Sequence, residues 1–563
     1  QRQVKKIKFE GNKSFSDSRL KDVMLSREFF FFNNAFFVEA FLEKDAKLLE
    51  AFYHEKGFLE AKVSLESLQY TRLNDRVVLT FKIEEGSQYW IKELDFVGLP
   101  EGLEDLTKDY EEKFEARPFS ETWVKTLVSR VLVDLANQAY PYAQMEPKVE
   151  SLGEFERRLI FQIEPGKKVT MGPLLLVGPN LTKEKTLRKH LEFKEGDDFS
   201  AEKILKSQIN LRSLGAFDSL SLEALGLDSE RENTPLVLKV QEKKNKVIDV
   251  EAGYNTDFGF TGEVTFNKLN LWGSGRHGNL KLQVGQERSR LELNYVEPRL
   301  FAKDLQLTTG VFAGRESRPF FRKDAVGGYA SLFRQFKSSL STFARIELSY
   351  LSLDDDPTLF ANLDPFAESS QAMRLGTSLG VSFDRRDQFG DPRKGYFLGS
   401  RVKLTTEFWK RYNHYLEVDA RLGHWFSPFS RLTISNALRV SKVFDLSPGT
   451  QVPADERLYL GGDATVRGFD QDALLPSGGS FSIVHNLEVV FRIFGDFQLA
   501  GFLDSGAVVK EISNFNLTTL RHSAGPSLRY RTPVGPIRLD YGFALDGAKP
   551  REKRLHFSFG YFF

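Results

Sequence analysis

Leu416-Glu417-Val418-Asp419-Ala420-Arg421-Leu422 places an apolar residue at every second position and a charged or polar one, here charged each time, between. A strand turns successive side chains to opposite faces, so this segment has one apolar face and one charged face. The pattern recurs through the second half of the chain. Leu280, Leu282 and Val284 alternate with Lys281 and Gln283, and Leu291, Leu293 and Tyr295 with Glu292 and Asn294. Leu487, Val489, Phe491 and Ile493 share one face, opposite Glu488 and Arg492. At the end of the chain Leu555, Phe557, Phe559, Tyr561 and Phe563 do the same. Alternation held for ~9–11 residues suits a tilted strand that crosses a bilayer with its apolar side toward lipid. A soluble sandwich also alternates, but its strands are usually ~5–6 residues and one domain seldom holds this many. From about residue 247 to Phe563 we read sixteen strands, an even number as in bacterial barrels. Two connections are long, at about 353–371 and 445–479.

The composition agrees. Of 563 residues, 41% are hydrophobic and 28% charged, which excludes wholesale disorder. No uncharged apolar run reaches the ~18 residues of a membrane-crossing helix. Yet aromatics make up 13% and Phe occurs 51 times. A mildly hydrophilic chain with that many aromatics is how a transmembrane barrel reads, because alternation hides its apolar half. Lys and Arg number 78 against 77 Asp and Glu, so there is no overall basic footprint for nucleic acid. Cysteine is absent, which excludes disulfides, thiolate metal sites and Cys nucleophiles. The eight histidines are scattered without metal-ligand spacing. The opening Gln1-Arg2-Gln3-Val4-Lys5-Lys6 has no apolar signal core, so either the protein is not exported or a signal peptide precedes the numbering.

Before about residue 245 the period changes. Ile7-Lys8-Phe9-Glu10-Gly11, Leu94-Asp95-Phe96-Val97-Gly98 and Leu174-Leu175-Leu176-Val177-Gly178 share one pattern. A closing strand recurs in step at Phe81-Lys82-Ile83-Glu84-Glu85-Gly86, Phe161-Gln162-Ile163-Glu164-Pro165-Gly166 and Leu238-Lys239-Val240-Gln241-Glu242. Between them lie helical stretches: Leu42, Ala46, Leu49 and Phe52 fall on one helix face, as do Ile204, Leu211 and Leu214. The unit is β-α-α-β-β, repeated three times. We therefore divide the chain into repeats at 1–88, 89–167 and 168–245 and a barrel at 246–563.

The longest connection holds Leu460-Gly461-Gly462-Asp463-Ala464-Thr465-Val466-Arg467-Gly468-Phe469. Asp384-Arg385-Arg386-Asp387 precedes Pro392, Gly395 and Tyr396; Phe502-Leu503-Asp504-Ser505-Gly506 and Thr532-Pro533-Val534-Gly535-Pro536-Ile537-Arg538-Leu539-Asp540 follow. In this order, behind three such repeats, these motifs resemble the BamA/TamA superfamily of outer-membrane assembly factors, with POTRA repeats and a sixteen-stranded β-barrel. The repeat count is similar to that of TamA. The resemblance implies a bacterial outer-membrane location with the repeats in the periplasm. It implies non-covalent work, with no enzyme activity, cofactor or metal. The repeats would receive unfolded outer-membrane polypeptides and the barrel would promote their insertion into the lipid bilayer. Periplasmic lipoproteins or a periplasm-spanning TamB-like protein would be partners; nucleic acid would not. The other reading is a two-partner-type transporter that exports a polypeptide through the lumen.

In this family the long loop folds into the lumen, so Val466, Arg467, Gly468 and Phe469 form the loop motif. Arg467 is then expected to meet Glu488 or Asp504, polar-phase residues of the next two strands. Gly560, close to the terminal Phe563, resembles a kinked glycine in the family's last strand; a kink there would weaken pairing with the first barrel strand. Gly273-Ser274-Gly275-Arg276-His277-Gly278 matches a dinucleotide-binding pattern, but it leads into an alternating strand and reads as a hairpin turn.

Overall fold

The structure is a computed structural model that describes residues 2–29, 35–71, 76–226, 231–336, 338–355, 371–410, 412–429, 431–447, 452–532, 535–546 and 553–559. Packing divides it into two units: 1–178 with 191–210 and 220–240, and 179–190 with 211–219 and 241–563.

The first repeat runs β1 (Gln3–Glu10), α1 (Asp17–Val23), α2 (Ala40–Glu55), β2 (Lys62–Tyr70) and β3 (Arg76–Glu84). β3 lies between β1, which it meets in parallel, and β2, antiparallel. The second runs β4 (Trp90–Val97), α3 (Lys108–Glu112), β5 (Arg117–Pro118), α4 (Glu121–Asn137), β6 (Gln144–Ser151) and β7 (Glu156–Glu164). Its order, β4-β7-β6, is the same, with the two-residue β5 added beside β4. The third runs β8 (Thr170–Val177), α5 (Glu184–Lys189), α6 (Ala201–Arg212), β9 (Phe217–Ala224) and β10 (Asn233–Glu242), in the order β8-β10-β9. Helical spacing of apolar residues covers each sheet. Leu49 and Tyr53 of α2 are fully buried in one cluster with Val77, Leu79 and Phe81. Val131 and Leu135 of α4 pack likewise with Leu159 and Phe161.

The recurrent glycine has a steric cause. Gly11, Gly98 and Gly178 each have φ of 92°. A Cβ there would lie 2.1, 2.2 and 2.2 Å from the carbonyl oxygens of Ile83, Ile163 and Val240 respectively. Only glycine lets the chain leave the first strand so close to the last. In the first repeat Glu85 then accepts from the backbone N–H groups of Lys13 and Ser14 at 2.8 and 2.9 Å, and from the hydroxyls of Ser14 and Tyr53. Glu242 does the same in the third, taking the N–H groups of Leu181 and Thr182 at 2.9 and 2.7 Å. The second repeat has Pro165 at this place.

The second half forms the closed barrel. Its strands are β11 (Lys246–Asn255), β12 (Gly259–Leu271), β13 (Arg276–Gly285), β14 (Arg288–Glu297), β15 (Gln306–Arg318), β16 (Phe321–Phe336), β17 (Leu340–Asp355) and β18 (Gln371–Asp384). They continue as β19 (Gly395–Phe408), β20 (Asn413–Phe429), β21 (Leu432–Asp445), β22 (Phe481–Arg492), β23 (Phe497–Val509), β24 (Arg521–Thr532), β25 (Gly535–Ala544) and β26 (Lys553–Phe559). Each pairs with the next, and β26 returns to β11. The register builds the apolar wall: Ile248, Phe266, Leu280, Leu293 and Val311 stand opposite one another on successive strands. The alternate phase is ionic, with Lys281–Glu263 at 2.7 Å and Arg401–Glu417 at 2.6 Å. Most of the 353–371 connection, and Gly560 and Phe563, lie outside the described residues.

Within the glycine-rich stretch, Gly273–Gly275 lie in the hairpin turn between β12 and β13, and Arg276–Gly278 open β13. Gly273 has φ of 71°, and a Cβ on it would lie 2.1 Å from the Leu181 carbonyl oxygen. Its own carbonyl accepts from the Lys183 N–H and the Thr186 hydroxyl, each at 2.9 Å. The turn therefore grips residues 181–186 of the third repeat.

Burial pushes the Glu85 carboxyl up, but the hydrogen bonds from Ser14, Tyr53 and Lys13 outweigh it and hold it below the ordinary glutamate value. A depressed pKa contributes stability that is complete above the unfolded value and is lost as pH falls through the folded one. Glu85→Gln should remove that acid-side slope and cost the first repeat about 1 kcal/mol after solvent screening. Hydrogen exchange of β1 and β3, measured above and below the glutamate range, reads both effects.

Candidate functional site

The site is built on the loop between β21 and β22. Leu458 and Gly479 exchange two backbone hydrogen bonds of 2.9 Å, closing the base of an inner segment. Within it the Gly462 N–H donates to the Phe469 carbonyl at 3.1 Å, and the Phe469 N–H to the Val466 carbonyl at 3.2 Å. The tip is thus a pair of nested turns with Arg467 at its apex.

Arg467 is 2% exposed. Its guanidinium forks onto Asp504, with Nε to Oδ2 at 2.8 Å and Nη2 to Oδ1 at 2.7 Å. Its backbone N–H donates to the same carboxylate at 3.1 Å. Nη1 reaches Glu488 at 2.7 Å and Asp540 at 3.3 Å. The guanidinium carbon lies 3.6 Å from the centre of the Phe502 ring, which covers its face. Arg529 bonds Glu488 at 2.8 Å and Arg538 bonds Asp540 at 2.9 Å. Three guanidinium groups thus meet three carboxylates, which is how charges remain ionised with little water.

Glycines bring the loop this close. A Cβ on Gly468 would lie 2.6 Å from the Ser523 Cβ, and one on Gly542 would lie 2.2 Å from the Arg467 carbonyl oxygen. That carbonyl accepts from Nε2 of His556 in β26 at 2.8 Å. Nδ1 of His556 lies 3.3 Å from Asp257, in the turn after β11. Asp257 in turn accepts from the Asp463 N–H of the loop at 2.6 Å, and Asn255 of β11 donates to the Asp463 carboxylate. The loop therefore holds both strands of the barrel seam.

Among the described residues the seam is short. β11 and β26 share two register pairs, Tyr254 with Phe559 and Asn255 with Ser558, whereas β11 and β12 share ten. Just past β11, the Thr256 N–H donates to the Phe557 carbonyl at 3.1 Å, and the Phe557 N–H to the Thr256 hydroxyl at 2.6 Å.

Of the residues singled out from sequence, Val466, Arg467 and Gly468 are buried and Phe469 is half-buried. Glu488 and Asp504 both contact Arg467. Gly560 and Phe563 lie outside the described residues. Sequence reasoning missed Asp540, Asp257, Asp463 and His556. Asp540 had a signal: it shares the polar phase of Arg538 in the strand two beyond that of Asp504. His556, the polar residue between Leu555 and Phe557, had the same one.

These features define a class: a sixteen-stranded barrel behind N-terminal α+β repeats, with a long loop turned inward and tied by an arginine. The Omp85 superfamily domain matches residues 270–563, and POTRA, described as a surface antigen variable number repeat, matches residues 3–86 and 169–243. The chain belongs to the Omp85 superfamily. It is 24% identical to the outer membrane protein assembly factor BamA of Nitratidesulfovibrio vulgaris, across 100% of this chain and 73% of that one. It is 25% identical to BamA of Neorickettsia risticii, across 98% and 77%. The crystal structure of Haemophilus ducreyi BamA lacking POTRA domains 1–3 superposes with a TM-score of 0.65 at 16% identity, covering 84% of this chain and 99% of that one.

Arg467→Ala leaves Asp504 and Asp540, both 0% exposed, without their shared cation. Breaking one partner out of a buried pair costs ~3–5 kcal/mol. The barrel should lose its folded gel mobility at a lower temperature, and Arg467→Lys should recover only part of that loss, because an ammonium cannot fork.

Proposed function

We propose that this chain is an outer-membrane protein assembly factor. Its POTRA repeats stand in the periplasm and receive unfolded outer-membrane polypeptides, and its barrel promotes their insertion into the bilayer. The observation that carries the reading is that one loop bonds both seam strands, His556 of β26 and Asn255 of β11, beside a seam of two register pairs among the described residues. An unpaired backbone group in hydrocarbon costs several kcal/mol, so a strand edge left open there is relieved by any strand that pairs with it. A client strand supplies those partners and enters the bilayer already hydrogen-bonded. The relatives named as assembly factors support the same role.

The Arg467 knot belongs to this mechanism as a positioning device. Its carbonyl holds His556 in the last strand while Asp463 holds Asp257 and Asn255 by the first, so the loop sets the spacing of the two edges. On the periplasmic side, β2, β6 and β9 are sheet edges that add a client strand by backbone pairing. A lipoprotein or a periplasm-spanning TamB-like partner would dock on the same edges.

The chain contains no cysteine, so a pair can be introduced cleanly. Tyr254→Cys with Phe559→Cys places two thiols on directly opposed residues of the seam. Oxidation should stop insertion of a radiolabelled barrel client into vesicles that carry the protein, and reduction should restore it. Equal insertion by the oxidised and reduced forms would rule out lateral entry and return export through the lumen as the better account.

A further inference from the structure

The loop has a second end. A short turn of helix, Ala454–Glu456, lies ahead of the Arg467 tip. The Asp455 side chain is fully buried and bonds Arg374 of β18 at 2.8 Å and Lys323 of β16 at 3.2 Å. Glu456 bonds Arg374 at 2.9 Å and Lys403 of β19 at 2.7 Å. Arg374 is itself forked onto Glu407 of β19, with Nη2 at 2.6 Å and Nε at 3.1 Å. Apolar contact accompanies the ion pairs: Ala454 is buried among Phe321, Leu351, Leu353 and Ala372, and Tyr459 packs on the same cluster.

This end reverses the polarity of the first. At Arg467 the loop brings a cation to carboxylates of β22, β23 and β25. At Asp455 and Glu456 it brings two anions to cations of β16, β18 and β19. The two strand groups are separate arcs of one closed ring. A loop held only at its Arg467 end could swing about that end, whereas one held on two arcs cannot.

We propose that Asp455 and Glu456 are positioning residues that form a second anchor, and that residues 452–480 act as a strut fixed to two arcs of the wall across the lumen. The swapped charges set its direction, since neither end can bind at the other's site without placing like charges together. While both ends hold, the strut bars the interior to a polypeptide and fixes the Arg467 end from the far side. The inference goes beyond the assembly reading and needs no client to test.

The test uses the full chain in planar bilayers and under limited trypsin, which cuts after Arg457 inside the strut once it loosens. Asp455→Asn with Glu456→Gln keeps side-chain shape and removes both charges. Cleavage after Arg457 should rise about tenfold or more, and ion conductance should rise with it. Asp455→Glu, which keeps the charge, should stay close to the parent on both readouts. Combining the neutral pair with Arg467→Ala should raise cleavage beyond the product of the separate effects, because each end restrains the loop when the other is lost. If the neutral pair fails to reach the folded gel mobility, Lys403→Gln, which removes one half-buried partner of Glu456, is read in the same way. Cleavage and conductance within about twofold of the parent, or effects that simply multiply, would overturn the strut.

Discussion

Hydrocarbon offers a strand edge nothing to hydrogen-bond with, and from that single fact most of this molecule follows. The sheet must close, so each of sixteen strands pairs with its neighbours and β26 comes back to β11. Closure divides every strand into a lipid phase and a lumen phase, which is why Leu and Val alternate with Lys and Glu along it. The lumen phase then carries charges that must find opposite charges. Some pair along the wall, the loop after β21 supplies partners for others, and the same loop reaches both edges of the seam between β11 and β26.

The ionic groups inside the barrel are best understood as a balanced set. Around Arg467, Arg529 and Arg538 stand Glu488, Asp504 and Asp540, and no member is without an opposite charge. Such a set adds little net stability over an apolar core of the same shape, but it is intolerant of losing one member. It selects one loop position over all others, which is what a seam of defined width needs. The repeats solve a related problem in water with Glu85 and Glu242, which collect backbone N–H groups that the tight glycine turn leaves without strand partners.

Strand identity was legible because a period of two survives any tertiary context. The strand read at 395–408 is Gly395–Phe408, and that read at 247–254 is Lys246–Asn255. The order within the repeats was legible except at Arg117–Pro118, since a strand of two residues has no period to detect. The partners of Arg467 were legible as a face: alternation told which residues point inward on β22 and β23. It did not tell how far around the wall one guanidinium would reach, so Asp540 was missed, as were the loop's bonds to Asp257 and His556 across ~200 and ~90 residues of chain. The role of Glu85 was not read from the sequence; its recurrence as Glu242, one residue past the closing strand's alternation, was the available clue.

A chain segment of set length that is bonded to separate parts of a ring also acts as a gauge of that ring. The circumference of a barrel grows with each strand added. A further hairpin inserted between β19 and β22 would move Arg374 and Lys323 away from Asp504 and Asp540, while the residues joining Asp455 to Arg467 would be no more numerous than before. One attachment would have to be surrendered. Growth of this barrel by hairpin duplication, an easy step for a repetitive sheet, is therefore checked by a loop that belongs to no strand, and the wall and its tether can change size only together.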